Sequence, residues 1–238
     1  MPEKSSQTRS AKKGRIFTTI LTTAFKVWLK SQVSQVSQLE VEIRASDRQI
    51  LTGCIPWVSV CASHAVYQGL HLTQVQLIAE NIHINIGSVL KGHPLRLLET
   101  VSVSGQLIQS EEDFNASLSS ELLSTALNDV LVTLVPEHCS KSKSINCQKI
   151  YFEKNKLILI AIPEQVGNFT EFNIHVEVEL ISNHELQLIP IIRKDNTEDL
   201  IENSNNKHYI DLGSDVDIQE LILTAGQLEC RGKINVNP

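Results

Sequence analysis

The sequence predicts an α+β fold in which a curved antiparallel β-sheet wraps around two long amphipathic helices. Three observations predict it. Apolar residues fall at helical spacing over two separate stretches, the period switches to two at Leu39, and the alternation slips phase inside one long extended run. Leu, Ile and Val supply 72 of the 238 residues and aromatics only 5%, so the core is aliphatic and large enough for one domain. The expected organisation is a basic N-terminal arm over residues 1–15 and a single domain over 16–238.

The first helix is expected from Ile16 to about Gln38. Phe17, Ile20, Leu21, Ala24, Phe25, Trp28 and Leu29, then Val33 and Val36, recur every three or four residues. Leu39, Val41 and Ile43 alternate with Glu40, Glu42 and Arg44, which is a strand with one wet face. Residues 47–53 read as a connector, and 57–64 as a second strand. In 70–86 the apolar set changes phase twice, from Leu70/Leu72 to Val75/Leu77/Ala79 to Ile82/Ile84/Ile86. Such slips predict bulges or bends and hence curvature. Val101, Val103 and Leu107 make another strand, with a bulge expected at Gly105.

Ser110, followed by Glu111, Glu112 and Asp113, starts a helix as a variant capping box with acids in its first turn. A second long helix begins afresh at Ser119 or Ser120 and runs to 135, stopped by Pro136. Residues 137–148 are a polar loop. Residues 150–152 and 157–162 flank Lys154-Asn155 as a hairpin. Phe172 to Leu180 alternates five apolar residues with four polar ones, the clearest strand of the chain, and 186–192 is its hairpin partner. A polar loop over 195–207 and one or two strands over 209–236 complete eight or nine strands.

The chain carries 21 Lys+Arg against 27 Asp+Glu, a net charge of −6 that argues against a nucleic-acid partner. The charge is segregated. Residues 1–30 hold seven basic residues against Glu3 alone, leaving −12 on the rest. A basic arm of Lys4, Arg9, Lys12, Lys13 and Arg15 ahead of an apolar helix is the pattern of contact with an anionic membrane surface. No apolar run is long enough for a transmembrane helix, and the run 16–25 lacks a cleavage site, so no signal peptide is expected. The expected location is the cytoplasm or, peripherally, the cytoplasmic face of a membrane.

Five cysteines (Cys54, Cys61, Cys139, Cys147, Cys230) form no CxxC pair and leave one over, which fits free thiols in a reducing compartment. Their spacing matches no zinc site, and His138-Cys139 lacks the remaining ligands. GxSxG, Walker A, GxGxxG and HExxH are all absent, so no catalytic residue, metal or cofactor is expected.

Three stretches carry a family pattern. The first is Leu51-Thr52-Gly53 followed by Trp57 to Val60. The second is Val103-x-Gly105-x-Leu107, then Ser110, Glu111, Asp113, Asn115, Leu118, Ser120, Leu122 and Leu123. The third is Ile210 to Gly213 with Gly226-x-Leu228 and Gly232-x-Ile234-x-Val236. Together they resemble the bacterial LmeA-like phospholipid-binding family over roughly residues 16–238. The resemblance implies a fold akin to tubular lipid-binding domains, phospholipid as partner and no catalytic residues. On this basis Phe17, Leu21, Phe25 and Trp28 of the first helix and Leu123, Leu127, Val130 and Leu134 of the second are expected to line one apolar groove against the sheet. The function expected is binding or shuttling of phospholipid at a membrane surface in support of envelope lipid assembly. The alternative is a membrane-associated scaffold whose core is filled by its own side chains.

Overall fold

The computed structural model describes residues 16–89, 91, 93, 95–134, 145–163, 172–193, 200–202 and 207–238. The arm residues Lys4, Arg9, Lys12, Lys13 and Arg15, the side chain of Phe17, and Pro136, His138 and Cys139 lie outside them. The architecture is mostly antiparallel β, in two open six-stranded sheets rather than one sheet around two helices.

Sheet 1 has the order β1-β2-β3-β4-β12-β11, formed by Gln38–Arg44, Cys54–Tyr67, Leu70–His83, Val101–Ser110, Gln227–Val236 and Val216–Thr224 respectively. Sheet 2 has the order β10-β8-β7-β6-β5, formed by His208–Asp211, Glu185–Arg193, Phe172–Ser182, Lys156–Pro163 and Ile145–Glu153, and β9 (Leu200–Glu202) pairs with β8. The twelve strands exceed the number expected because the stretch read as the loop 195–207 contains β9, and because 209–236 yields three strands with β10 starting at His208.

The first helix, α1 (Ile16–Gln32), is 17 residues long and stops well short of Gln38. Strand pairing takes over the residues that follow. The Ser34 N–H donates to the Val66 carbonyl at 2.9 Å, the Val66 N–H to the Gln35 carbonyl at 2.9 Å, and the Ser37 N–H to the Ser63 carbonyl at 3.1 Å. The apolar spacing of Val33 and Val36 is therefore overridden by the free edge of β2, a tertiary partner that a local pattern does not contain.

The connector 47–53 contains α2 (Asp47–Leu51). The Ser46 hydroxyl accepts the Gln49 N–H, and the Gln49 side chain returns to the Ser46 N–H at 2.9 Å, a complete capping box. A single turn, α3 (Ile86–Val89), follows β3. Ser110 caps α4 (Glu111–Ala116), its hydroxyl accepting the Asp113 N–H. The box is not closed, since the Ser110 N–H donates to the Thr73 hydroxyl at 2.9 Å rather than to Asp113, and the first-turn acid Glu111 serves another element. Its carboxylate accepts the Phe152 N–H of β5 at 2.7 Å and fastens sheet 2 to the helix start. After a 3-10 turn over Ser117–Ser119, the Ser120 hydroxyl accepts the Leu123 N–H and opens α5 (Glu121–Leu134), 14 residues long. At 1.5 Å per residue α5 spans roughly 21 Å and α1 roughly 26 Å, so the helices cover only part of either sheet.

The two phase slips in β3 are real but leave the register unchanged. Ala65 pairs with Leu72, Ser63 with Gln74, Trp57 with Glu80 and Ile55 with Ile82, so one offset holds throughout. At each slip one residue of the pair turns into the left-handed region, His64 (φ 46°) opposite Thr73 and Asn81 (φ 54°) opposite Pro56. Gly105 is no bulge. It pairs in sequence with Leu77 on one side and Gly232 on the other. The irregularity sits one strand further on, between Ile218 and Glu220 of β11.

Two buried clusters form. One gathers Ile43, Ile55, Val58 and Ile84 of sheet 1, with Leu21 and Phe25 of α1 packed against it. The other gathers Leu131 and Leu134 of α5 with Ile150, Phe152, Leu159, Ile174 and Val176 of sheet 2 and Leu223 of β11. β11 joins the sheets. The Asn155 N–H at the β5–β6 turn donates to the Leu223 carbonyl at 3.1 Å, and the Ile218 N–H donates to the Asn183 carbonyl at the β7–β8 turn at 2.6 Å.

Candidate functional site: the apolar face of sheet 1

Antiparallel pairing places directly opposite residues on one face, so the registers sort every side chain of sheet 1. One face carries Leu39, Val41 and Ile43 of β1 beside Ala62, Val60 and Val58 of β2. Val75, Leu77 and Ala79 of β3 continue it, followed by Leu107, Gly105 and Val103 of β4. Cys230, Gly232 and Ile234 of β12 and Leu221 and Val216 of β11 complete it. The opposite face carries Glu40, Glu42, Ser59, Cys61, Gln74, Gln76, Ser104, Gln106, Arg231 and Lys233 from the intervening positions. On it Arg231 pairs with Glu220 at 2.9 Å and Arg44 with Glu42 at 2.7 Å.

This apolar face is only partly covered. α1 shields the β1–β2 side, and at the other end Leu223 and Leu228 run into the core of sheet 2. Between them Val75, Leu77, Val103, Leu107, Leu221 and Cys230 are half-buried and join neither cluster. An aliphatic strip crossing four adjacent strands with water on it is costly, at about 25 cal/mol per Å² of apolar surface. Large exposed apolar patches mark binding surfaces. Across its middle lies the Gly105–Gly232 pair. The space over Gly105 is taken by the Leu77 Cδ2 methyl, and that over Gly232 by the Asp217–Ile218 backbone of β11.

Of the eight groove residues expected from the helices, the seven with described side chains do not meet in one place. Leu21 and Phe25 pack on the sheet 1 cluster, and Phe25 stacks on Trp28 with ring centroids 5.6 Å apart. Trp28 itself is largely exposed. Leu134 is buried in the sheet 2 cluster, Leu127 and Val130 pack against it, and Leu123 is half-buried. A cleft of about 230 Å³ beside Leu118, Leu127 and Ile145 lies below the ~300–1,000 Å³ of ordinary ligand pockets. A larger cleft by α1, about 620 Å³, is lined by four threonines, Glu42 and Arg44 together with Ile43 and Ala45. The strip on sheet 1 is not among the residues expected from the helical stripes. Its signal was present as the period-two pattern of β1, β3, β4 and β12.

The densest polar group outside the strip surrounds Asp113. Its carboxylate accepts the Thr73 hydroxyl and lies 3.7 Å from His64 Nδ1. The nearby hydroxyls have structural duties: Ser110 caps α4, and Ser117 donates to the Asp113 carbonyl at 2.7 Å. Among the described residues no group of three His, Cys, Asp or Glu side chains is placed to hold a metal ion.

Cys54, Cys61, Cys147 and Cys230 are free thiols. Burial pushes the Cys147 thiol up to about 11 and raises that of Cys230. Of the three cysteines in sheet 1, Cys230 stands on the strip, Cys61 on the polar side and Cys54 at the start of β2. Lipid loading is expected to slow maleimide labelling of Cys230 and to leave Cys61 unchanged, as read by peptide mass mapping. Equal protection of both, or of neither, would remove the strip from contact with lipid.

Among the described residues no helix is long and apolar enough to cross a membrane. No curated protein and no solved structure matches the chain. A family model does, from residue 13 to residue 233, which takes in both sheets and the strip between their cores: the chain belongs to the LmeA-like phospholipid-binding family.

Proposed function

We propose that this protein is a non-catalytic phospholipid carrier, with acyl chains lying along the uncovered strip of sheet 1 while it is peripherally attached to an anionic membrane surface. The observation that supports the reading is the strip itself, a continuous aliphatic face whose middle no described helix or strand covers. The bilayer offers an acyl chain nearly the same apolar environment, so net transfer is close to neutral and exchange is reversible. Attachment is electrostatic. The arm of Lys4, Arg9, Lys12, Lys13 and Arg15 contributes about 1 kcal/mol per basic residue near an anionic surface. A role in supplying lipid for membrane or envelope assembly follows from shuttling. The scaffold alternative requires the strip to be closed by the protein's own side chains, and the half-buried state of Leu77 and Leu107 speaks against that.

Mass spectrometry of the natively purified protein tests the carrier. Phospholipid is expected to co-purify and to exchange with added vesicles. A protein that carries none and takes none up is a scaffold. Deleting residues 1–15 is expected to weaken binding to phosphatidylglycerol-containing vesicles and flatten its salt dependence, with the melting temperature unchanged. Unchanged vesicle binding would make the arm a solvated tail.

A further inference from the structure

The two ends of sheet 1 differ. At one end the β2–β3 and β11–β12 turns are covered. Ser120 Cβ lies 3.0 Å from where a side chain on Gly69 would begin. The Glu111 N–H donates to the Gly226 carbonyl at 2.9 Å, and the Gly226 N–H to the Phe152 carbonyl at 3.2 Å. Helix α4 and sheet 2 thus close this end.

The opposite end is where β1 and β3 finish, β2 and β4 begin, and β12 terminates. It presents apolar side chains to water. Leu51 ends α2 and is 48% exposed. Leu95 and Leu98 are 53% and 59% exposed, in a loop held by the Leu98 N–H to the His83 carbonyl and by pairing of Ile84 with Leu97. Ile234 and Val236, 46% and 39% exposed, bring the strip out to this same end. The start of α1 is tied here too, the Thr18 N–H donating to Asp47 Oδ1 at 3.2 Å and its hydroxyl to the Ala45 carbonyl at 3.1 Å. The basic sequence of residues 4–15 therefore joins the fold beside these leucines.

We infer that this open end is the membrane-docking surface, with Leu95 and Leu98 entering the interface of an anionic bilayer. The inference rests on the carrier reading and adds where the carrier touches the membrane. Charge favours it. Lys91 and Arg96 stand in the same loop, and the arm attaches next to it. Asp47 accepts from Thr18 and Asp215 from Asn237, both neutral donors, and Glu99 lies 3.5 Å from His83, so the basic excess at this end comes from the arm, with its five basic residues against Glu3. Exposed leucines flanked by basic residues are the composition that lies in an anionic lipid interface. The geometry also gives the lipid a route. A tail entering at Val236 and Ile234 reaches Val103 and Leu77 along the strip without crossing the polar face.

The test is the double variant Leu95→Asp/Leu98→Asp, with Ile222→Asp on β11 near the closed end as control. All three side chains are exposed, so the melting temperatures should match wild type. Binding is measured by co-sedimentation with phosphatidylcholine vesicles with and without phosphatidylglycerol, and lipid capacity by uptake of a monomeric short-chain phosphatidylglycerol without vesicles. The double variant is expected to lose vesicle affinity by about tenfold or more while keeping uptake, and Ile222→Asp to lose neither. Wild-type vesicle binding in the double variant overturns the docking surface. So does wild-type protein that ignores vesicles, or a wild-type dimer that the double variant dissolves, which would seat a second copy on these leucines. Loss of short-chain uptake by wild type itself overturns the carrier reading instead.

Discussion

Gly232→Ala is expected to destabilise the protein by about 3 kcal/mol, while Gly105→Ala, its cross-strand partner, stays within about 1 kcal/mol of wild type. A Cβ on Gly232 would lie 2.4 Å from the Asp217 carbonyl oxygen and 2.9 Å from Ile218 Cα. Both are backbone atoms of β11 beside its irregularity, so relief requires the strand to move. That strand also carries Leu223 into the core of sheet 2 and receives its turns, and moving it strains the junction of the two sheets. A Cβ on Gly105 would meet only the Leu77 Cδ2 methyl at 3.3 Å, the end of a side chain that can rotate. For a chain of this size the Gly232 variant should melt roughly 6–12 °C lower. Thermal denaturation of the two variants decides. Equal melting temperatures would mean that β11 does not press on β12 as described.

Leu77→Asp is expected to reduce phospholipid retention about a hundredfold, and Ile78→Asp to leave it unchanged. The two residues are neighbours on β3 and both half-buried, but they stand on opposite faces. Leu77 pairs with Val60 and Gly105 on the strip, and Ile78 with Ser59 and Ser104 on the polar side. A carboxylate under an acyl chain is buried without a partner, which costs several kcal/mol, and a hundredfold loss needs only about 2.8 kcal/mol. Strand propensity and lost packing act on both variants alike, so the ratio of their retained lipid isolates the face. Bound phospholipid per protein after purification is the measurement. Similar losses in both variants would place lipid elsewhere, with the clefts beside α5 and α1 the next places to examine.

Much of the fold was legible because most of it depends on alternation within one strand. Phe172 to Leu180, the Lys154-Asn155 turn, the Ser110 cap and the restart at Ser120 all rest on neighbours within a few residues, and each lies where its local pattern puts it. The Ser46–Gln49 capping box was equally local and was passed over for want of a long apolar run behind it. The end of α1 was not legible. Val33 and Val36 keep helical spacing, and only the unpaired edge of β2 at Val66 and Ser63 draws them into extended chain. The separation of the expected groove residues between two cores was not legible for a related reason. Helical stripes are conspicuous in sequence, but each of these helices packs on a different sheet.

What the sequence determined by itself is the alternation of its strands, the caps of its helices, the aliphatic character of its interior and the family it belongs to. All of these are set by residue type and spacing along the chain. Only the tertiary structure decided which alternating residues share a face, because register is a relation between strands distant in sequence. It joined Val75 to Leu107, and Leu107 to Cys230, and so made six separate stripes into one surface. It also decided that neither described long helix closes over the middle of this surface. Whether α1 and α5 cover it depends on where they dock, and they dock on the flanking cores at either side because Leu21 and Phe25, and Leu131 and Leu134, find closer apolar partners there.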